Sequence, residues 1–150
     1  MITAADVRRV FPQATFGAPA CEADIAEAER LLGHPLPSDL RNLYLEFDGF
    51  LGPTDATFLY PVLIRPHPGG ESLATYTQFF RTETGMPDWL TQAIAVGDYG
   101  TGTAWFILLN EGSRVVRWDA EWEEYESVEG SLLDEWIKAK EFYESLLRDA

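Results

Sequence analysis

The residues that could carry out chemistry in this chain are few and scattered. The sequence has one cysteine, Cys21, and two histidines, His34 and His67, each beside a proline in a predicted turn. A zinc site needs several cysteine or histidine ligands at short spacing, which this pattern does not provide. Acid–base and nucleophilic catalysis likewise need a base and a nucleophile brought close together. We therefore expect no enzyme activity, no metal and no cofactor.

A glycine-rich run at residues 97–102, GDYGTG, is similar to loops that bind phosphate. Such loops work because a helix begins directly after them and presents its backbone amides to the anion. Here the strand-forming residues 104–107 follow, and no lysine is nearby. We interpret the run as a turn in which Gly100 and Gly102 adopt positive φ.

The strongest chemical signal is a run of acids in the last third of the chain. Eight carboxylates and no base lie between residues 119 and 135, and they contribute −8 to a formal net charge of −14. Trp118, Trp122 and Tyr125 flank or interrupt the run. The acids are Asp119, Glu121, Glu123, Glu124, Glu126, Glu129, Asp134 and Glu135.

Two catalytic or metal-binding interpretations of this run fail on its pattern. A calcium loop needs a glycine at its sharp turn, and a glycosidase needs two acids facing each other across a cleft. A solvated strand face remains possible, since exposed charge discourages edge-to-edge aggregation. Aromatic residues among the charges favour a docking surface, because aromatic anchors are typical of binding hot spots. The predicted partner-binding residues are Asp119, Glu121, Trp122, Glu123, Glu124 and Glu126.

The overall charge restricts the partners of the protein. The chain has 11 basic and 25 acidic residues. Nucleic-acid binding depends on lysine and arginine, and an anionic membrane surface would repel this chain. No apolar run approaches the ~18 residues of a membrane span, and the N-terminus lacks the layout of a signal peptide. We expect a cytoplasmic protein with a basic protein partner.

Helical periodicity is strongest near the two ends of the chain. A first helix should start at Thr3 or Asp6 and end before Pro12, and others should begin at Cys21, near Pro37 and at Ser72. Gly33, Gly49 and Gly85 should end the latter three. The last helix has capping-box spacing between Ser131 and Asp134. Its predicted buried face consists of Leu132, Trp136, Ala139, Tyr143 and Leu146.

Short strand-like runs separated by turns occupy the middle of the chain. They cover residues 58–64, 93–96, 105–109, 114–118 and 122–128. Consecutive apolar residues at 105–109 predict a central strand that is covered on both faces. The chain length suits one domain over residues 1–150. We therefore predict a single α+β domain with a central, mainly antiparallel sheet flanked by helices.

Three segments of the chain resemble the SUKH superfamily. They are LLGHPLPSD at residues 31–39, the helix end LYLEFDG at residues 43–49, and AVGDYGTG at residues 95–102. This superfamily includes the fungal Smi/Knr regulators of cell-wall synthesis and many bacterial immunity proteins. The chain departs from the family pattern at Leu40, where an aromatic residue is frequent, and at Thr103, where an acid is common.

The resemblance implies a function as well as a fold. It implies an α+β fold without an established catalytic set, and bacterial members that bind toxin domains such as nucleases or deaminases. We expect an immunity-type protein that neutralises a basic toxin by covering it. The alternative is a non-enzymatic regulatory scaffold of the Smi/Knr type. The identity of the toxin and the oligomeric state stay open at this point.

Overall fold

The computed structural model describes residues 2–52, 56–63, 72–83, 87–99, 103–109, 112–119, 124–127 and 130–148, and within 124–127 it describes the backbone. These residues form five α-helices and one antiparallel sheet. The helices are α1 (Ala4–Val10), α2 (Glu22–Leu32), α3 (Ser38–Glu46), α4 (Leu73–Thr82) and α5 (Leu132–Arg148).

The sheet has seven strands in the described residues, and their spatial order follows the chain. Every neighbouring pair is antiparallel, so the predicted α+β fold with a mainly antiparallel sheet is confirmed. A short 3₁₀-helix, Asp88–Gln92, leads into the fourth strand. The strands are β1 (Thr15–Phe16), β2 (Phe50–Leu51), β3 (Thr57–Leu59), β4 (Ala93–Asp98), β5 (Thr103–Leu108), β6 (Arg114–Asp119) and β7 (Glu124–Ser127).

Local capping signals place the helix starts where the sequence predicts them. The Thr3 side chain accepts a hydrogen bond from the Asp6 amide at the start of α1, and Ser72 with Thr75 forms a capping box at the start of α4. Gly33 ends α2 in the left-handed conformation, with φ 74°. Helix α3 ends at Glu46, three residues before Gly49, because extended Phe47 turns into the core and is fully buried.

Both faces of the sheet carry helices. On one face Trp136 of α5 packs edge-on against Phe50, with ring centroids 5.0 Å apart. On the other face Phe80 of α4 packs edge-on against Phe106 at 5.1 Å. Residues 104–108 of β5 are all buried between these layers, which confirms the predicted central strand.

Helix α4 buries Leu73, Ala74 and Thr77. The Thr77 hydroxyl accepts a hydrogen bond (2.9 Å) from the Ala95 amide beside an irregularity in the β4–β5 register. The predicted buried face of α5 differs from the structure at its end. In α5 the residues after Tyr143 have no buried side chain, and Leu146 is 51% exposed. The prediction that Leu146 belongs to the buried face is therefore wrong, since α5 continues past the core.

Candidate functional site

Three of the acids predicted to bind a partner lie in the last strand pair of the sheet. In the β6–β7 ladder Glu124 lies opposite Asp119, and Glu126 lies opposite Arg117. β7 is last in the strand order, and in the described part of the chain no strand pairs with its outer side. An edge strand presents backbone donors and acceptors that are not used within the sheet.

The structure describes three of the six predicted partner-binding residues. Asp119 ends β6, while Glu124 and Glu126 belong to β7. Asp119 is half-buried, and its Oδ2 accepts a hydrogen bond of 3.2 Å from the Thr103 hydroxyl. The other three, Glu121, Trp122 and Glu123, lie outside the described residues.

The C-terminal end of the acidic run has structural roles. The Asp134 carboxylate accepts a hydrogen bond of 2.9 Å from the Ser131 amide, and the Ser131 hydroxyl accepts one of 3.2 Å from the Asp134 amide. This capping box begins α5 as predicted. Glu135 is fully buried, so the interpretation of the whole run as a surface feature is wrong at this residue.

Glu135 lies in a charged cluster between α5 and β6. Its Oε1 is 3.1 Å from Nε of Arg117, and its Oε2 is 3.6 Å from Nζ of Lys138. The side chains of Arg117 and Lys138 are 29% and 60% exposed, so the cluster extends from the interior to the surface. Among the described residues, neither Glu135 oxygen has hydrogen-bond geometry to a donor, so these are charge contacts.

Tyr99 borders the same cluster. Burial raises the pKa of its hydroxyl, and the negative charge of Glu135 raises it further, while hydrogen bonding to Arg117 opposes them. The hydroxyl of Tyr143 in α5 donates a hydrogen bond to the Tyr99 carbonyl. Together these contacts attach α5 to β6 and to the end of β4.

Sequence reasoning missed this buried pair, although a signal for Glu135 was present. Glu135 shares the helical spacing of Leu132 and Ala139, which are both buried. An acid on a buried helical stripe predicts a basic partner in the facing element, because an isolated buried charge is costly. The sequence alone did not identify Arg117 as that partner, because the two residues belong to different elements.

Trp118 is a core residue, as the alternation of β6 favours. It is 2% exposed, and its ring lies edge-on to Trp89 of the 3₁₀-helix at 5.9 Å. Its role is therefore to pack the sheet beneath the acidic strands rather than to anchor a partner.

The residues that could suggest chemistry elsewhere are separate from one another. Cys21 is an exposed N-cap of α2, and His34 is exposed with Nδ1 2.6 Å from the Pro35 carbonyl oxygen. His67, Gly100 and Gly102 lie outside the described residues. Over the described ranges, no three histidine, cysteine, aspartate or glutamate residues are grouped to hold a metal ion. Nor is any described helix long and apolar enough to cross a membrane.

Two of the cavities on the described surface are similar in size. One, of about 290 Å³, lies between the end of α1 and α5 and has Phe11, Phe58, Tyr143 and Leu147 in its mainly apolar lining. The second, of about 280 Å³, lies where α3 and α5 begin and includes Asp39 and Ser131. Neither lining contains a histidine or a cysteine beside its carboxylates, so neither assembles a general base with a nucleophilic thiol.

The comparisons with known proteins identify the family. The SMI1 / KNR4 family (SUKH-1) matches residues 19–139, a range that extends from just before α2 into α5. A search of curated proteins found no significant match. The matched range includes the glycine-rich run at residues 97–102, the acidic strands and the Arg117–Glu135 pair. Because the match covers most of the sequence, the chain belongs to the SMI1 / KNR4 family (SUKH-1).

Proposed function

We propose that this protein is an immunity protein that neutralises a basic toxin domain by binding it through the acidic residues of the β6–β7 region. The SMI1 / KNR4 family implies protein–protein interaction, is generally non-catalytic, and supports either an immunity role or a Smi/Knr-type regulatory role. The proposal therefore selects one of the two roles that the family supports and adds a binding surface.

The observation that carries the proposal is the position of the acids at the edge of the sheet. Glu124 and Glu126 belong to the terminal strand, and Asp119 lies opposite Glu124. The sequence adds Glu121 and Glu123 in the connection between these strands. An edge position leaves room for a partner to approach from the side, whereas acids on a central strand would face the covering helices.

The proposed mechanism is occlusion assisted by electrostatic attraction. A nuclease or deaminase that acts on nucleic acid binds phosphates with lysine and arginine, so closely spaced carboxylates can occupy the same basic surface. Complementary charge mainly accelerates encounter, with association rate constants reaching about 10⁸–10⁹ M⁻¹ s⁻¹ at low salt. The toxin would then be blocked because its substrate-binding face is covered.

The second candidate is a regulatory scaffold, and one observation favours it. Three apolar side chains near the end of α5 are strongly exposed: Phe142 at 54%, Leu146 at 51% and Leu147 at 67%. A scaffold needs more than one docking surface, and exposed apolar groups can provide a second one. The genes beside the coding sequence distinguish the candidates, because an adjacent gene for a large secreted protein with a variable toxin domain favours immunity.

Co-expression of this protein with a toxin domain encoded by an adjacent gene tests the proposal. The toxin domain is produced from an inducible promoter, with and without this protein, and growth and complex formation are measured. We expect the protein to restore growth and to form a stable complex with a catalytically inactive form of the same domain. Unrestored growth and no complex with any toxin domain encoded beside the gene would contradict an immunity role.

A further inference from the structure

We propose that Glu135 is an internal counter-charge that keeps Arg117 from neutralising the acidic strand beside it. The inference concerns how the proposed binding surface keeps its charge, so it rests on the proposed function. It is carried by one juxtaposition: Arg117 contacts the buried carboxylate of Glu135 while lying opposite Glu126 in the sheet.

Arg117 stands between two sets of negative charge. Toward the interior, its Nε lies 3.1 Å from Oε1 of Glu135, which is fully buried. Along the sheet, the residue opposite it in β7 is Glu126, and directly opposed residues in antiparallel strands have Cα atoms only about 4.5–5.5 Å apart. The guanidinium is therefore close enough to compensate the negative charge of Glu135 in α5 or of Glu126 in β7.

Because Glu135 is buried, its charge has a larger effect on Arg117 than the charge of Glu126 does. A fully buried carboxylate has lost its hydration and needs a cation nearby, whereas an acid on an edge strand can be solvated by water. Lys138, the other cation at Glu135, is farther away at 3.6 Å and 60% exposed, so water weakens its contribution. Arg117 is thus the main counter-ion of Glu135, and the pair acts as a nearly neutral unit.

This neutral unit matters because Arg117 is the described base nearest to the acids of β7 along the ladder. With Glu135 present, the positive charge of Arg117 is compensated from inside the protein. Without that compensation, the positive charge of Arg117 would offset up to one negative charge at β7 and make the local potential less negative. Glu135 thus acts on the binding surface through Arg117, as a positioning residue that does not touch the partner.

The test measures the electrostatic potential at β7 in the free protein, which requires no toxin. Paramagnetic relaxation of the backbone amide hydrogens is recorded in isotopically labelled protein with a cationic and with an anionic nitroxide probe. The ratio of the two enhancements reports the potential near each amide. The variants are Glu135→Gln, Arg117→Gln and the double variant. Glu144→Gln is the matched control, because Glu144 lies on the same helix, pairs with Lys140 and is exposed.

We expect E135Q to make the potential at residues 124–127 less negative, and E144Q to leave it unchanged despite the same change in net charge. R117Q should make it more negative, because Glu135 then loses its counter-ion. The double variant should return to the wild-type potential. The Nε–Hε signal of Arg117 should exchange faster with water in E135Q than in the wild type, since its charge contact is gone.

An E135Q shift at β7 no larger than that of E144Q would overturn the inference, and so would a double variant that differs from the wild type. If E135Q loses the native amide spectrum, R117Q and the double variant decide the question alone. Failure of the proposed function has a separate signature, namely a wild-type protein that neither binds nor neutralises the toxin while its β7 potentials follow the expected pattern.

Discussion

Tyr44 of α3 is a buried hydroxyl whose contribution to stability depends on pH. Its side chain is fully buried and donates a hydrogen bond of 2.6 Å to the Tyr60 carbonyl. Burial raises the pKa of the hydroxyl well above its ordinary value of 10.0, and the nearby charge of Asp48 adds to this effect. The folded protein therefore holds this proton more tightly than the unfolded chain does. The resulting stability is complete below pH 10 and is lost as the pH rises towards the folded pKa.

The substitution Tyr44→Phe tests this contribution. It should lower the free energy of unfolding by about 1–3 kcal/mol at pH 7, because the buried Tyr60 carbonyl loses its donor. It should also reduce the loss of stability above pH 10, while Tyr99, whose pKa is raised too, continues to contribute. Urea unfolding at a series of pH values measures both effects. Alkaline profiles of equal slope in the two proteins would contradict this role of Tyr44.

Glycine at position 97 is required by a close approach of two strands. A Cβ atom built on Gly97 would lie 2.2 Å from the Phe58 carbonyl oxygen and 2.7 Å from that of Thr57. Both are backbone atoms of the β3 region, which cannot move without breaking the pairing of β3 with β4. The sequence identified this glycine as part of a turn, whereas the structure places it inside β4, next to the register irregularity.

The change Gly97→Ala should therefore destabilise the sheet strongly. We expect a loss of about 3 kcal/mol or more, at the upper end of overpacking effects, measured by thermal or urea unfolding. Gly112→Ala is the matched control, because Gly112 has φ 65° and open space around its Cβ position. That control should lose only about 1–2 kcal/mol, from the left-handed backbone alone. Equal losses in both variants would show that the contact with β3 is unimportant.

At the scale of elements, the capping box of α5 supports the helix that carries Glu135. Ser131→Ala removes the hydroxyl that accepts from the Asp134 amide and should lower the free energy of unfolding by about 1 kcal/mol. Ser145→Ala makes the same chemical change within α5 and should be neutral or slightly stabilising, since alanine favours helix interiors. Urea unfolding of the two variants compares them. A neutral S131A would mean that packing alone fixes the start of α5.

The sequence predicted the elements whose signals are local. The helices that begin near Thr3, Ser72 and Ser131 follow from capping side chains at each start. Helix α2 follows from its acidic first turn, since its N-cap Cys21 makes no side-chain capping hydrogen bond. The central strand follows from its consecutive apolar residues. Strands β1 and β2 were not predicted, because two residues are too few to show an alternating pattern.

The candidate site was predicted in outline because charge is a property of composition, whereas pairing depends on the fold. The acidic segment between Asp119 and Glu126 is visible in the sequence, and Asp119, Glu124 and Glu126 occupy the last strand pair. The capping role of Asp134 was predicted, because its partner Ser131 is only three residues away. The burial of Glu135 was not predicted, because it depends on Arg117, a residue of another element.

At the scale of the whole molecule, the net charge of −14 creates a field that favours basic partners. The field by itself does not distinguish a local binding surface from general acidity. A variant with glutamine at positions 121, 123, 124 and 126 removes four charges from the proposed surface. A control variant with glutamine at the exposed positions 22, 46, 83 and 141 removes the same number elsewhere.

The stability of these two variants provides a first comparison. Neighbouring carboxylates repel one another in the free protein, so the first variant should be as stable as the wild type or slightly more stable. Its free energy of unfolding is measured in urea at low ionic strength, where repulsion is strongest. A large destabilisation would mean that these acids have structural partners and that their primary role is in folding.

The most direct measurement of the central proposal is the rate of association with the toxin domain encoded beside the gene, recorded as the salt concentration increases. Raising ionic strength from about 0.01 M to about 1 M shortens the Debye length from about 30 Å to about 3 Å, so it removes electrostatic attraction. We predict that glutamine at positions 121, 123, 124 and 126 slows association about tenfold or more at low salt and flattens its salt dependence. The control variant should remain close to the wild type. Equal association rates for the two variants at every ionic strength would contradict a binding role for the acidic strands.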